Sequence, residues 1–429
     1  MLSNRNIVLF FFFLVFSILT LPNHYFYRTF GLDYGIANQA LFQYAHFQQA
    51  ICTQLLGGQE TPYLALHISL WVPIISPFYW LFGSYTLLIF QNLALIFGGI
   101  GLVKLAQEFK LSQNLTALLL VQLFSSFAIY AALAFDYHDN VIGACFIPWL
   151  FYFYKKDSYF LSAICFLALL ISKENMAIFA AFTAMSLGFV YKENGRNNVY
   201  FSFGLILIAF SWFFIAAKIW MPALSPAGKF EQLSRFSHLG NNLESIIIYI
   251  ISHPIEMLKM FYFSHIQPDS FEMVKQEFIW VLFLSGGFAL LFRPIYLWMA
   301  LPILMQKLWN KELAFWGMSF HYQIELAFVI SLALLASINS FNNNRIKYAI
   351  LISAVLLTAY TSISYMQHRL ADYKVENENL FDPTHYFSPL NISAIQDKLA
   401  QIPANVAVCA QSNLMPHLAN RNKIYHFPY

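Results

Sequence analysis

The sequence predicts an all-α, polytopic membrane protein of about eleven transmembrane helices. Interface helices are expected in its first outer loop, and a small α/β segment at its C-terminal end. Three observations lead there. The composition is too apolar for a water-soluble domain, apolar runs recur along the whole chain, and lysine and arginine collect in alternate connecting loops. Of 429 residues, 59% are hydrophobic and only 10% charged, against roughly 25% charged in soluble globular proteins. The mean hydropathy is +0.57. A net charge of +3 is too small to point to a nucleic-acid partner. The basic residues read instead as topology signals, with the lipid bilayer as partner.

A spanning helix needs about 20 apolar residues. The first candidate, near 7–22, is Phe-rich and has no small-x-small cleavage site before Pro22, so it reads as a retained span rather than a signal peptide. Further spans are expected near 84–103, 113–134, 139–154, 158–172, 174–191, 199–219, 277–293, 295–309, 319–339 and 346–365. With Arg5 inside, every inside loop is basic: Lys104 and Lys110, Lys155 and Lys156, Lys192 and Arg196, Arg293, and Arg345 with Lys347. An odd number of spans then places the C-terminus outside.

The first outer loop, about 23–83, carries helix-like stretches near 38–56 and 63–81. The second is apolar but interrupted by Pro73 and Pro77, and suits an interface helix anchored by Trp71, Tyr79 and Trp80. The outer loop 220–276 is expected to hold an amphipathic surface helix near 245–262. From 366 the composition turns soluble, so 1–365 reads as the transmembrane domain and 366–429 as an outer segment: helix, turn, short strand VAVCA, helix, strand. Cys145 and Cys165 fall in apolar runs, as packing residues. Cys52 and Cys409 lie outside the spans, where a disulfide is open to them, and no metal-type cysteine spacing is present.

A charge at mid-membrane costs on the order of 3 kcal/mol or more, so polar residues near spans need a partner or a task. The expected topology gathers them at the outer ends: Asp33 in LDYGIANQ, His67 in the interface helix, Asp136, His138 and Asp139 in AFDYHDN, Lys173 and Glu174 in LLISKENMAIF, and His321 with Glu325 in MSFHYQIELAF. Each has an ordinary structural role open to it. Asp136 and Asp139 suit a helix N-terminus, Asp33 a turn before Gly35, Lys173 and Glu174 an ion pair, and the histidines interhelix hydrogen bonds. Their collection on one face argues for a site. Asp, His and Glu together suit a divalent cation that offsets phosphate charge. They equally suit a carboxylate base working beside cations that hold an anionic leaving group. No nucleotide-binding glycine loop is present, so a phosphorylated substrate would come from the membrane.

These residues carry a resemblance. The chain is similar to the bacterial and archaeal predicted membrane proteins of domain-of-unknown-function family 2079. The family's FDLGIFDQ stands here as LDYGIANQ, with Asp33, Gly35, Ile36 and Gln39 matching. Its GDHFSP-like segment stands as LALHISL with His67 and Ser69, and its FDFHPE as FDYHDN with Phe135, Asp136 and His138. KED stands as KEN at Lys173 and Glu174, and FHY is intact at Phe320, His321 and Tyr322. The closing pattern is intact at Pro416, His417, Leu418, Arg421, Tyr425, Phe427 and Pro428. The second acid of the first motif is Asn38 here and the acid before the loop histidine is Leu66, which weakens any metal site built on them. The family usually continues beyond the point where this chain stops.

That family resembles the multi-spanning glycosyltransferases of the GT-C class, which take a sugar from a polyprenyl-phosphate carrier. The resemblance implies a bacterial inner-membrane enzyme, N-terminus cytoplasmic and C-terminus outside, working on the outer face. Asp33 would be general base, with Asp136 and Glu174 as the other catalytic carboxylates, orienting groups or binding a cation. His67, His138, Lys173, His321, His417 and Arg421 would bind phosphate or acceptor. The alternative is a non-enzymatic transporter or membrane scaffold with a polar, outward-facing cavity.

Overall fold

The structure is a computed structural model that describes residues 4–55, 58–190, 196–266, 272–369 and 375–428. It is a bundle of apolar helices with very little sheet. Among the described residues, five helical stretches are long and apolar enough to cross a membrane: Asn4–Tyr25, Trp71–Glu108, Val199–Leu224, Met273–Phe292 and Asn344–Gln367. A sixth arises if Gln113–Phe124 and Phe127–Ala134, bent by 44° at their junction, count as one. Tyr159–Leu170, Met176–Val190 and Ile324–Asn339 are apolar but shorter.

Among the described residues length and hydropathy support fewer than eleven full-length spans, and the breaks have local causes. The 139–154 stretch is split into Asp139–Ala144 and Ile147–Lys155, with Pro148 opening the second piece. The 277–293 stretch turns at Gly286, whose φ of +97° belongs to a region only glycine enters freely. The surface helix expected near 245–262 is two pieces, Leu243–Ser252 and Pro254–Lys259, because proline cannot continue a helix.

Two of the loops expected inside meet at the N-terminal end of the first helix. The Asn4 side chain reaches Asn114 at 3.0 Å, Lys156 pairs with Glu108 at 3.5 Å, and Lys155 lies over the Phe109 ring. Lys192 lies outside the described residues. At the other end, His24 bonds Ser84 and Phe30 N–H donates to Asp136 Oδ2 at 2.9 Å. The Phe30–Asp136 region thus lies at the opposite end of the first helix from these two basic loops.

The first connecting loop is more broken than its sequence suggests. Helix Ile36–Ala45 stops at His46 and the chain turns through Phe47 into a short strand, Ile51–Cys52, paired antiparallel with Thr61–Pro62. The helix expected near 63–81 is interrupted: Tyr63–Leu66 ends, His67 is extended (φ −148°, ψ 138°), and Trp71–Ile75 restarts. His67 therefore sits in an extended link and not in an interface helix.

The C-terminal segment folds as expected into helix Ile392–Ala400, strand Val408–Ala410, helix Met415–Leu418 and strand Ile424–His426, the two strands parallel. It docks on the first connecting loop. Thr53 Oγ1 donates to Ile424 O (2.6 Å) and accepts from Ile424 N (2.9 Å), Gln39 Nε2 donates to Asn422 O (2.9 Å), and Asn38 Nδ2 donates to Pro416 O (3.2 Å). All four cysteines are free, Cys52 buried and Cys409 exposed.

Candidate functional site

The site is built from two chain interruptions that meet. Helix Tyr159–Leu170 ends and Met176–Val190 begins after a turn over Ile171–Asn175. The extended link His67–Leu70 lies against it, with Leu70 N–H donating to Ile171 O at 2.9 Å. Glu174 is the anchor. Its Oε1 is 3.0 Å from His67 Nδ1 and its Oε2 accepts from Ile68 N–H at 3.1 Å. Glu174 is buried, while 31% of the His67 side chain is exposed. Burial opposes the Glu174 charge, but His67, Lys173 and backbone N–H bonding outweigh it and hold the carboxyl down to about 2. Burial and the nearby Lys173 push the His67 imidazole below its usual range, toward the neutral form. A carboxylate only accepts, so Nδ1 carries the proton and Nε2 presents a lone pair.

A second wall comes from the turns before two further helices. His321, just ahead of Ile324–Asn339, stacks on His138, just ahead of Asp139–Ala144, with ring centroids 3.4 Å apart. Phe135 stacks on His138 in turn, and its carbonyl lies 2.9 Å from His138 Nε2. Asn140 Nδ2 donates to Glu325 Oε1 (2.8 Å) and to His321 O (3.3 Å). Burial drives both imidazoles toward their neutral forms.

His67, Lys173, Glu174, His321, Asn140 and Glu325 line one cavity of about 280 Å³. Among the described residues the Lys173 ammonium has no hydrogen-bond or ion-pair partner, and the Lys173 carbonyl accepts from Met176 N–H (3.1 Å). Burial lowers its ammonium's affinity for the proton, while the neighbouring Glu174, Asp139 and Asp33 carboxylates work to keep it charged. Other polar atoms at this end are also buried without partners: Asn140 Oδ1, Asn175 Oδ1, Asn310 Nδ2, and both ring nitrogens of His321. The remaining wall is apolar, with Ile178, Phe179, Phe182, Phe213, Phe230, Leu239, Ile246, Ile250 and Ile303 among its residues. The cavity thus joins a greasy trough to a cationic, hydrogen-bonding end.

Asp33 does not line that cavity, but Lys173 and Arg235 both act on its charge. Burial raises the Asp33 carboxyl above its usual range, and these two cations oppose the rise. Its carboxylate has no hydrogen-bond partner in the described protein. The turn that holds it, Gly31–Gly35, is clamped at each end. A Cβ on Gly31 would sit 2.5 Å from Met415 Sδ, and one on Gly35 would sit 2.3 Å from Gln54 Oε1. Close approach, not a positive φ, is why both positions are glycine.

Of the other expected site residues, His138 stacks on His321 without lining the cavity itself, and three fall elsewhere. Asp136 accepts from Phe30 N–H and, at a left-handed φ of +64°, shapes the entry to the Asp33 turn. His417 stacks on His24 (4.1 Å) and lies tilted against Tyr27 (4.0 Å), away from the cavity lining. Arg421 donates to Leu418 O (2.8 Å), Pro403 O (3.2 Å) and Val406 O (3.3 Å), closing the C-terminal unit on itself. Asn38, which replaces the family acid, spends its amide on Ser84 O and Pro416 O. Among the described residues no three His, Cys, Asp or Glu side chains converge on a point that could hold a metal ion.

Sequence reasoning missed Arg235, which lines the cavity from the 220–276 loop, and Asn140, one residue beyond the FDYHD run. The signal for Arg235 was present: it is the only arginine of that loop.

With this geometry in place the chain can be compared with known proteins. It belongs to the family described as predicted membrane protein, DUF2079, whose model matches residues 23–429. No curated protein matches it. Two crystal structures of the Archaeoglobus fulgidus oligosaccharyltransferase are similar to it. One is tethered by a disulfide to an acceptor peptide containing the NVT sequon, with a TM-score of 0.44 and 11% identity over 98% of this chain and 63% of that one. The other is a complex with Zn and sulfate, with a TM-score of 0.42 and 12% identity over 97% and 62%. This chain spans less than two thirds of the length of those structures.

Proposed function

We propose that this member of the predicted-membrane-protein family DUF2079 is a glycosyltransferase-like enzyme that takes a sugar from a polyprenyl-phosphate donor in the bilayer. One observation carries the reading: a single cavity couples an apolar trough to an end bearing an ammonium, Lys173, and hydrogen-bonding atoms that have no partner among the described residues. An isoprenoid chain needs the first, a phosphate the second, and sugar hydroxyls the third. Support comes from the polar end lying away from the Lys104–Lys110 and Lys155–Lys156 loops, since basic loops face the cytoplasm. The reaction is accordingly assigned to the outer face, with the N-terminus inside and the C-terminal segment, from 366 on, outside.

In this reading the Lys173 ammonium holds the phosphate oxygens. Asn140, Asn175 and His321 meet the sugar, and the lone pair on His67 Nε2, fixed by Glu174, accepts from a sugar hydroxyl. The acceptor hydroxyl enters from the Asp33 side, and Asp33, outside the cavity lining, takes its proton as the acceptor oxygen bonds to the anomeric carbon. The carbon–oxygen bond to phosphate breaks, its electron pair leaves with the phosphate, and Lys173 neutralises the charge that develops there. Burial that raises the Asp33 carboxyl makes it a stronger base than an exposed aspartate. No step requires a metal. A transport reading would rest on the helix breaks at Ser125–Ser126 and Ser285–Gly286, where Gln122 bonds Ser285 and Ser331. Those residues do not line the cavity.

The test is release of polyprenyl phosphate by purified protein from a panel of polyprenyl-phosphate sugars. Asp33→Asn keeps the shape and removes the proton acceptor, so release should fall about 10²–10⁴-fold with an unchanged unfolding midpoint. Full activity in the Asn variant would remove Asp33 from the mechanism. Absence of release from the whole panel by a parent that also binds polyprenyl phosphate no better than polyprenol would sink the reading.

A further inference from the structure

The proposed phosphate site has one cation from the helical core, Lys173, and a second residue stands ready to join it. Arg235 lies on a short helical turn, Glu231–Phe236, in the long loop over the cavity. The turn is strapped down by Lys311, whose N–H donates to Arg235 O (3.0 Å) and whose ammonium donates to Ser237 Oγ (2.9 Å). The guanidinium rests over the Phe315 ring at 4.8 Å, and Phe315 stacks on Tyr322 at 3.8 Å. Its only ionic contact in the described protein is Nε to Glu312 Oε1 at 3.7 Å, longer than a hydrogen bond. Its donors are therefore unspent, although the group lines the cavity and 28% of the side chain is exposed.

Position is what makes this arginine different from a surface one. It is close enough to act on the charges of His67, Lys173 and His321, which line the cavity, and of Asp33 beyond the lining. Lysine offers a point charge, whereas arginine offers a planar fork that matches two phosphate oxygens at once. Glu312 is about half exposed, so its long contact to Arg235 is weak and easily exchanged.

We propose that Arg235 is the second ligand of the donor phosphate, exchanging Glu312 for the phosphate oxygens when a polyprenyl phosphate occupies the cavity. The proposal rests on the functional reading above and adds to it a recognition residue on a surface loop. Two cations then face the single negative charge of a polyprenyl-phosphate sugar, so the phosphate needs no further counter-charge.

The experiment compares binding of a long-chain polyprenyl monophosphate and the matching uncharged polyprenol to full-length protein in lipid nanodiscs. The parent should prefer the phosphate. Arg235→Gln should lose about 10- to 100-fold of that preference, with polyprenol affinity unchanged as the control for folding, and Arg235→Lys should restore part of it. Glu312→Gln removes the competitor and should tighten phosphate binding about 2- to 5-fold; weaker binding would overturn the exchange. If Arg235→Gln keeps the parental preference while Lys173→Gln loses it, Arg235 is not a ligand and the functional reading survives. If the parent itself treats phosphate and polyprenol alike, the cationic end is not a phosphate site and both proposals fall.

Discussion

Replacing Glu174 by Gln tests the anchor on which the cavity geometry depends. The carboxylate, 1% exposed, accepts from His67 Nδ1 at 3.0 Å and from Ile68 N–H at 3.1 Å. Hydrogen bonds to a charged group contribute about 1.5–3 kcal/mol each, so the pair fixes the His67–Leu70 link by about 3–6 kcal/mol. Glutamine has the same length but only one acceptor oxygen. If that oxygen serves Ile68 N–H, the amide NH₂ faces His67 Nδ1–H, donor against donor. His67 must then swing away or change tautomer, and it loses the lone pair it shows the cavity. The expected cost is about half of the total, roughly 2–3 kcal/mol, read as a lower denaturant midpoint in detergent. Sugar release should fall by about 10²-fold, the scale of losing one oriented catalytic hydrogen bond. The acid dependence supplies a second readout. The folded carboxyl is held down to about 2, below the ordinary glutamate value of about 4.3. A depressed acid contributes stability above its ordinary value and loses it as pH falls toward the folded one. The parent should therefore lose stability between about pH 4.5 and pH 2, and Glu174→Gln should lack that component. A variant that unfolds with the parent and turns over as the parent does would refute the anchoring argument.

Two further expectations are simpler to state. Deleting residues after 400 removes the bonds from Ser412, Pro416, Asn422 and Ile424 to the segment carrying Asp33; membrane insertion should persist while sugar release drops at least about tenfold, and unchanged release would make the tail a passive surface unit. A reporter active only outside the cytoplasm should work when fused after residue 366 and fail near Lys155, because basic loops stay inside; the reverse pattern would move every polar cluster to the other face.

The separate motifs were legible because each is locally unusual. An aspartate between two glycines, histidines beside apolar runs and a Lys–Glu pair inside a greasy stretch all stand out without any knowledge of their neighbours. The C-terminal strand–helix–strand order was legible for the same reason, since its composition changes abruptly. The motifs did not reveal their division of labour. Asp136 and Arg421 look as chemical in sequence as Lys173 does, yet Asp136 shapes a turn through Phe30 N–H and Arg421 closes the C-terminal unit on backbone carbonyls. The Lys173 ammonium, in the cavity lining, has no partner among the described residues. Arg235 was overlooked because it belongs to none of the matched motifs.

By itself the sequence determined that this is a helical membrane protein. That follows from a term that acts residue by residue, the cost of apolar surface in water. Tertiary structure decided the rest. An apolar run can be one span or two short helices, depending on whether a proline or a left-handed glycine interrupts it and a neighbour packs against the break. Whether His67 lies in a helix was decided by Glu174, 107 residues away, whose buried carboxylate needs the donors of an extended link. A buried charge must find its partners wherever the fold brings them, and hydrophobic periodicity carries no record of where that is.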